Sequence, residues 1–262
     1  MPDQLAHYIF GKRVLAAANR GLRSRVDPDS TAFRLGTFGP DPLFTDPNGR
    51  HRVEGFGLHR QPGFVALERM REAVRSDMPR AADYAAGFFT HYALDRLCHP
   101  ELKAMDARGE AKHLPLEAAY DWELYHRNAI ELPKRIFPSE ADCRAATQMY
   151  HSLTPHQYRA DVRVYWALRR ALVLQKGRFL ASLPGKLSLA WDGIIPHAEP
   201  SEGIRRGIEM LDGKLRDCVS EAAEQLQRYF SAIDADAPLD RWTKADFAGR
   251  EHDPALQEPD TN

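Results

Sequence analysis

The sequence predicts an all-α protein, a multi-helix bundle with a long functional loop near its N-terminus. Apolar residues recur at the spacing of a helix face in seven segments, and the two-residue alternation of half-buried strands is scarce. With 262 residues, 43% of them hydrophobic, the chain can bury a large core. The predicted helices span residues 5–18, 64–74, 81–97, 116–130, 141–150, 158–180 and 204–233.

Between the first two predicted helices lies the segment "RLGTFGPDPLFTDPNGRHRVEGFGLHRQPG", which is rich in Gly, Pro and Asp. An irregular segment of about thirty residues is unusual in a compact domain unless it has a function. We therefore expect this loop to contribute to the functional site.

Proline residues divide the rest of the chain. Pro133 and Pro138 bracket a linker, which predicts a metal-binding helical core at 1–137 and C-terminal helices packed on that core at 138–233. Residues 234–262 are polar and contain only scattered apolar side chains, so a partly disordered tail is expected there.

The charge balance limits the possible partners. The chain carries 36 basic and 37 acidic residues, a net charge of -1, without a block of like charge. This argues against strong attraction to nucleic acid or to anionic membranes. Neither a secretory signal nor a transmembrane segment is recognisable. Three widely spaced cysteines suit a reducing compartment, and the chain is predicted to be cytoplasmic.

The segment "FFTHYALDRLCHPEL" places His91, Asp95 and His99 four residues apart in an otherwise apolar helix. Side chains at positions i and i+4 lie on one helix face, so an imidazole and a carboxylate can reach the same metal ion. Because Pro100 disfavours helical geometry at the preceding residue, the helix is expected to end at His99.

A second segment, "AKHLPLEAAYDWELY", repeats the pattern with His113, Glu117 and Asp121. One such pair is more often a hydrogen-bonded pair of side chains than a pair of ligands. Two pairs together with His99 favour a metal site between facing helices. Taken alone, His7, His59 and Asp41 have simpler interpretations as a helix histidine, a loop histidine and a turn residue before proline.

In chain order, His7, "GPD" with Asp41, "LHR" with His59, "HYALDRLCH" and "HLPLE" form an ordered set. This set resembles the zinc-dependent phospholipase C family, all-α proteins that hold up to three zinc ions and are related in fold to secreted single-strand nucleases. It is most similar to the cytosolic bacterial branch, whose members carry "HYxFG", "GPDxLF" and "HYxLDxxCHP". The resemblance covers roughly residues 1–130, by five separated motifs in one order.

The resemblance implies a bundle of the phospholipase C type with two or three zinc ions. Asp41, His59, His91 and Asp95 would bind one ion, and Asp95 would bridge to a second ion that also takes His7. His99, His113 and Glu117 would bind a third. Asp121 would be a further ligand or would orient a metal-bound imidazole.

Such a cluster suits hydrolysis of phosphate esters, with a water shared by two zinc ions attacking phosphorus. Asp41 is the candidate catalytic base, and Arg60 or Arg96 could hold the phosphate. A small phosphate ester or a phospholipid head group is favoured over nucleic acid as the partner. The alternative is a non-catalytic metal-binding protein whose helical segment 158–180 contacts a partner, although the same apolar residues could simply complete the core.

Overall fold

A computed structural model describes residues 4–45, 51–128, 140–153, 162–163, 165–167 and 200–251 of the chain. These residues fold into α-helices and short 3-10 helices, and they contain an isolated β-bridge between Ala245 and Glu251 but no strand. The predicted all-α class is therefore confirmed for the described ranges. None of their helices combines the length and apolar character needed to cross a bilayer.

The described helices follow one another along the chain with short connections. In order they are α1 (Gln4–Ala17), α2 (Arg20–Arg25), α3 (Thr31–Gly36), a 3-10 helix (Asp41–Thr45), α4 (Arg52–Arg60), α5 (Gly63–Arg75), α6 (Ala81–Ala107), α7 (His113–Asn128), α8 (Glu140–His151), α9 (Glu202–Asp217), α10 (Val219–Asp234) and a second 3-10 helix (Arg241–Lys244). Side chains of Asn19, Ser30 and Ser201 accept the first free amides of α2, α3 and α9, and so fix where these helices begin.

Helix α6 is the central element. It contacts α1, α3, α5, α7, α8, α9 and α10, and most of its side chains are buried. Helix α3 crosses it at backbone distance, because a Cβ at Gly36 would lie 2.2 Å from the Tyr84 carbonyl oxygen and a Cβ at Gly87 would lie 2.2 Å from the Phe33 carbonyl oxygen. This close crossing brings the segment that follows α3 onto the middle of α6.

The predicted end of α6 at His99 is wrong, because the helix continues through Pro100 to Ala107. The three turns around the proline bury Cys98, Leu102 and Met105, and this packing outweighs the local preference against a proline inside a helix. His99 consequently stays on the same rigid helix as His91 and Asp95.

The predicted irregular loop after the first helix is also wrong. It contains the end of α3, the 3-10 helix Asp41–Thr45 and α4, which buries Gly55 and Leu58 against the core. The predicted single helix over 204–233 is two helices that meet at Cys218. Most of the predicted helix at 158–180 lies outside the described residues, although Val162 and Tyr165 are buried.

The segment after α10 packs onto the core through residue 251. Ala245 and Phe247 are each 1% exposed, and the ring of Trp242 stacks on that of Phe89 at a centroid distance of 5.7 Å. The expected disorder of the last residues, 252–262, concerns a part of the chain outside the described ranges.

Candidate metal centre

The structure brings the eight predicted ligand residues together at one end of the central helix. They form three groups, and within each group one ligand atom per residue lies within 4.8 Å of the others. Each group contains two imidazoles and one carboxylate. The groups are His7, His91 and Asp95; Asp41, His59 and His91; and His99, His113 and Glu117.

Five elements supply these side chains. Helix α6 presents His91, Asp95 and His99 from successive turns of one face, as the four-residue spacing predicts. The 3-10 helix and α4 reach this face with Asp41 and His59, while α1 contributes His7 and α7 contributes His113 and Glu117.

Asp95 lies between the groups, and its two oxygens face different histidines. Oδ1 is 3.3 Å from Nε2 of His7 and 3.9 Å from Nε2 of His99. Oδ2 is 3.3 Å from Nε2 of His91 and 3.8 Å from Nε2 of His59. A carboxylate so placed has the geometry to bind two cations, one through each oxygen.

Three imidazoles are held in one tautomer by backbone carbonyls. Nδ1 of His91 lies 3.1 Å from the Thr37 oxygen, and Nδ1 of His59 lies 2.7 Å from that of Gly55. Nδ1 of His99 lies 2.7 Å from the Phe247 oxygen. A carbonyl oxygen only accepts, so Nδ1 carries the hydrogen in each ring and the Nε2 lone pair points into the centre when the imidazole is neutral.

Several buried atoms in this centre have no hydrogen-bond partner among the described residues. They are Nδ1 and Nε2 of His7, Oδ1 of Asp41, Nε2 of His59, His91 and His99, and both oxygens of Asp95. Leaving a buried carboxylate without such partners costs several kcal/mol, of order 1–3 per uncharged group and more for a charge. A cation between these atoms would offset that cost.

Burial and charge move the pKa values of these groups apart. Burial disfavours imidazolium, and it lowers the pKa of His7 to about 4 and the pKa of His113 to about 3. Burial opposes the charge on His91 as well, but the carboxylates of Asp95 and Asp41 outweigh it and raise the pKa of His91. Burial likewise opposes the charge on Asp95, yet the nearby imidazoles hold its pKa well below the usual range. The metal-free centre thus stores positive charge on His91.

The third group differs from the others in one respect. Nε2 of His113 and Oε1 of Glu117 are 2.6 Å apart, a hydrogen-bonded pair at the i, i+4 spacing of α7. A metal ion in this group would replace the proton between them. His99 completes the group, with its ring centroid 5.3 Å from that of His113.

Two residues that support the centre are not evident in the sequence pattern. The Tyr165 hydroxyl donates to Oδ2 of Asp41 at 3.3 Å, which leaves Oδ1 facing His59 and His91. The backbone of Phe247 contacts both His99 and His59. An aromatic residue in a core-forming helix and an apolar residue in a polar tail have no local signal for these roles.

The residues predicted to assist the ligands are placed differently. Both oxygens of Asp121 accept backbone amides at the start of α1, from Leu5 at 2.7 Å and from Ala6 at 2.8 Å. Asp121 therefore fixes the helix that carries His7. The Arg96 guanidinium lies over the Trp242 ring at 4.2 Å, and that of Arg60 lies 5.7 Å from the Phe56 ring.

Solvent reaches the centre from one side. The side chains of His7, Asp41, His91 and Asp95 are fully buried, whereas His59 is 11% exposed and His113 is 25% exposed. Phe56, one turn before His59, and Leu114, beside His113, are among the exposed large apolar side chains. A small molecule could approach between these two histidines.

No family model, curated protein or solved structure matches this chain. The interpretation of the centre therefore depends on its own geometry and donor chemistry.

Proposed function

We propose that this protein is a metal-dependent hydrolase of phosphate esters that holds two or three zinc ions, in a bundle of the zinc-dependent phospholipase C type. The observation that supports the proposal is the convergence of unpaired, buried nitrogen and oxygen atoms from six residues around Asp95. Native proteins rarely bury so many polar atoms without partners unless an ion or a water binds them.

The donor set fits zinc. Imidazole nitrogen and carboxylate oxygen are zinc ligands, and two histidines with one carboxylate leave a coordination position open, as catalytic zinc sites do. In this proposal Asp41, His59, His91 and Asp95 hold one ion, Asp95 and His7 contribute to a second, and His99, His113 and Glu117 hold a third. The same donors also suit iron, so the metal must be identified by measurement.

Zinc ions in such a centre supply Lewis acidity at the phosphoryl group. The chain's own residues provide positioning and proton transfer. We assign proton acceptance to Oδ1 of Asp41, because Oδ2 is already bound by Tyr165. His59 and His113 border the solvent side and so would lie nearest to an entering substrate.

A small phosphate ester or a lipid head group is the favoured substrate class. The net charge of -1 gives no long-range attraction for a polynucleotide. Arg60 is exposed on the helix that carries His59, and it is the better placed of the two arginines to contact such a substrate, since Arg96 is stacked on Trp242. A cytoplasmic location, suggested by cysteine usage, is part of this proposal.

A non-catalytic role for the metal is the second candidate. Four ligand side chains are fully buried, and the centre joins five separate elements, as expected for a metal that holds helices together. Loss of such a metal would unfold the chain rather than only abolish turnover.

Elemental analysis of protein purified without chelator or polyhistidine tag tests the proposal. We expect two or three equivalents of zinc, a loss of at least two in Asp95→Ala, and hydrolysis of a bis(p-nitrophenyl) phosphate or monoester probe that fails in the same variant. His126→Ala is the matched control, because His126 also donates from Nδ1 to the carbonyl four residues earlier but lies outside the cluster. Less than half an equivalent of any metal in a folded wild type would overturn the proposal.

A further inference from the structure

The segment Asp240–Arg250, here called the C-terminal segment, lies directly against the metal centre. The Ala245 carbonyl accepts from the Gly63 amide and from the Tyr92 hydroxyl, both at 2.9 Å. The Tyr92 hydroxyl also contacts the Trp242 carbonyl at 3.1 Å. These bonds attach the segment to α5 and to α6, one residue beyond His91.

Phe247 connects this segment to two ligand histidines. Its carbonyl accepts the Nδ1 hydrogen of His99 at 2.7 Å, and its amide donates to the backbone carbonyl of His59 at 3.2 Å. Its ring packs against the imidazoles of His59 and His91 at centroid distances of 5.0 and 6.0 Å. One residue thus touches ligands from all three groups.

Asp246 fixes the conformation of the residues around Phe247. Its fully buried carboxylate accepts the amides of Ala248 at 2.8 Å and Arg250 at 2.9 Å, and also the Arg250 guanidinium. The enclosed Gly249 has a φ of +75°, and a Cβ there would lie 2.8 Å from the Arg96 carbonyl oxygen. The turn is therefore closed by a side chain and seated on the central helix.

We propose that the C-terminal segment is part of the metal centre: Phe247 is a positioning residue for His99 and His59, and Asp246 holds Phe247 in place. The consequences for metal binding rest on the proposed function, whereas the positioning of the imidazoles does not. His91 is oriented by Thr37, outside the segment, so the segment acts selectively on the other two rings.

The test compares two variants of the full chain, Asp246→Asn and Asp83→Asn. Asp83 is a matched control, because it is also buried, accepts one backbone amide, from Asp27 at 2.8 Å, and binds one arginine, Arg80 at 3.0 Å. Nitrogen chemical shifts of the imidazoles in chelator-treated protein report the tautomer of each histidine. Competition with a zinc chelator then reports the affinity of each bound ion.

In Asp246→Asn we expect His99 and His59 to lose their preference for hydrogen on Nδ1 while His91 retains it. Zinc affinity should fall by about 10–100-fold for the ions bound through His99 and His59, the range typical for residues that orient metal ligands. Asp83→Asn should leave both readouts at the wild-type values, whatever stability it loses. If the two variants match in tautomers, the inference is overturned; if only the wild type's zinc is missing, the tautomer result still decides it.

Discussion

The α-carbon of Gly39 faces the ring of His91 so closely that a Cβ at position 39 would lie 2.3 Å from Cδ2 of the imidazole. Gly39 also has a φ of +53°, a conformation that side-chain-bearing residues rarely adopt. The turn between α3 and the 3-10 helix can therefore pass over His91 and deliver Asp41 only with glycine at this position.

Replacing Gly39 by alanine should displace His91 and weaken metal binding in the two groups that contain it. The backbone strain alone costs about 1–2 kcal/mol. Gly109→Ala is the matched control, since Gly109 has a φ of +70° but its Cβ would meet nothing within 4 Å. We expect both variants to lose stability in chemical denaturation and only Gly39→Ala to lose metal. Equal metal content in both would contradict this role.

Tyr165→Phe removes the hydroxyl that donates to Asp41 and should weaken the ion bound by Asp41, His59 and His91. A hydrogen bond to a charged group contributes about 1.5–3 kcal/mol, so the metal-free variant should lose stability in that range. Tyr229→Phe removes a buried hydroxyl that donates to the Leu67 carbonyl at 3.2 Å, and it should lose about 1 kcal/mol without any change in zinc affinity. Competition with a chelating dye gives the affinities.

Removal of metal by chelation should leave the protein helical, because the apolar core around Phe88, Phe89 and Tyr92 does not depend on the ligands. Restoring zinc at a hundred times its dissociation constant should add about 2.7 kcal/mol per site. Circular dichroism melts with and without chelator measure both effects. Complete unfolding on chelation at 25 °C would favour the structural role of the metal over the catalytic one.

The stability of the metal-free protein should fall on acidification. The folded-state pKa values of His7, about 4, and His113, about 3, lie below the ordinary value of 6.5, and that of His99 is also lowered. Between pH 6.5 and about 4 the unfolded chain therefore binds more protons, so unfolding becomes easier as the pH decreases. His91, whose pKa is raised, is charged in both states over this window and adds no slope.

Urea denaturation in the presence of chelator at pH 7, 5.5 and 4.5 checks this expectation. We expect a decrease of at least about 1 kcal/mol per pH unit, since one fully shifted histidine gives up to 1.36 kcal/mol per unit. A stability that stays flat across this range would show that the buried imidazoles are not held neutral.

The ligands that share a helix could be predicted from spacing. The i, i+4 pattern alone places His91, Asp95 and His99 on one face and pairs His113 with Glu117. His7, Asp41 and His59 could be joined to them only through the order of motifs along the chain. Their meeting depends on the crossing of α3 over α6, which is a tertiary contact without a local signal.

The remaining errors have a common physical origin. Pro100 was expected to end α6, and the region after Asp234 was expected to be a polar tail, because local propensity was the available guide. Burial of Leu102 and Phe247 overrides that propensity. The orienting carbonyls of Thr37, Gly55 and Phe247 are likewise invisible in a sequence, because every residue carries a backbone carbonyl and only the fold selects which one meets an imidazole.

The distance along the chain from the ligands to Phe247 has a consequence for biosynthesis. All eight ligand residues precede Phe247, and the last of them, Glu117, is followed by 129 residues before Phe247 is reached. At about 5–20 residues per second, the ribosome needs roughly 6–26 s to add them. During that interval His99 lacks its carbonyl partner, so a nascent chain binds cations with incompletely oriented ligands, and tight, selective metal uptake begins only once the final turn closes.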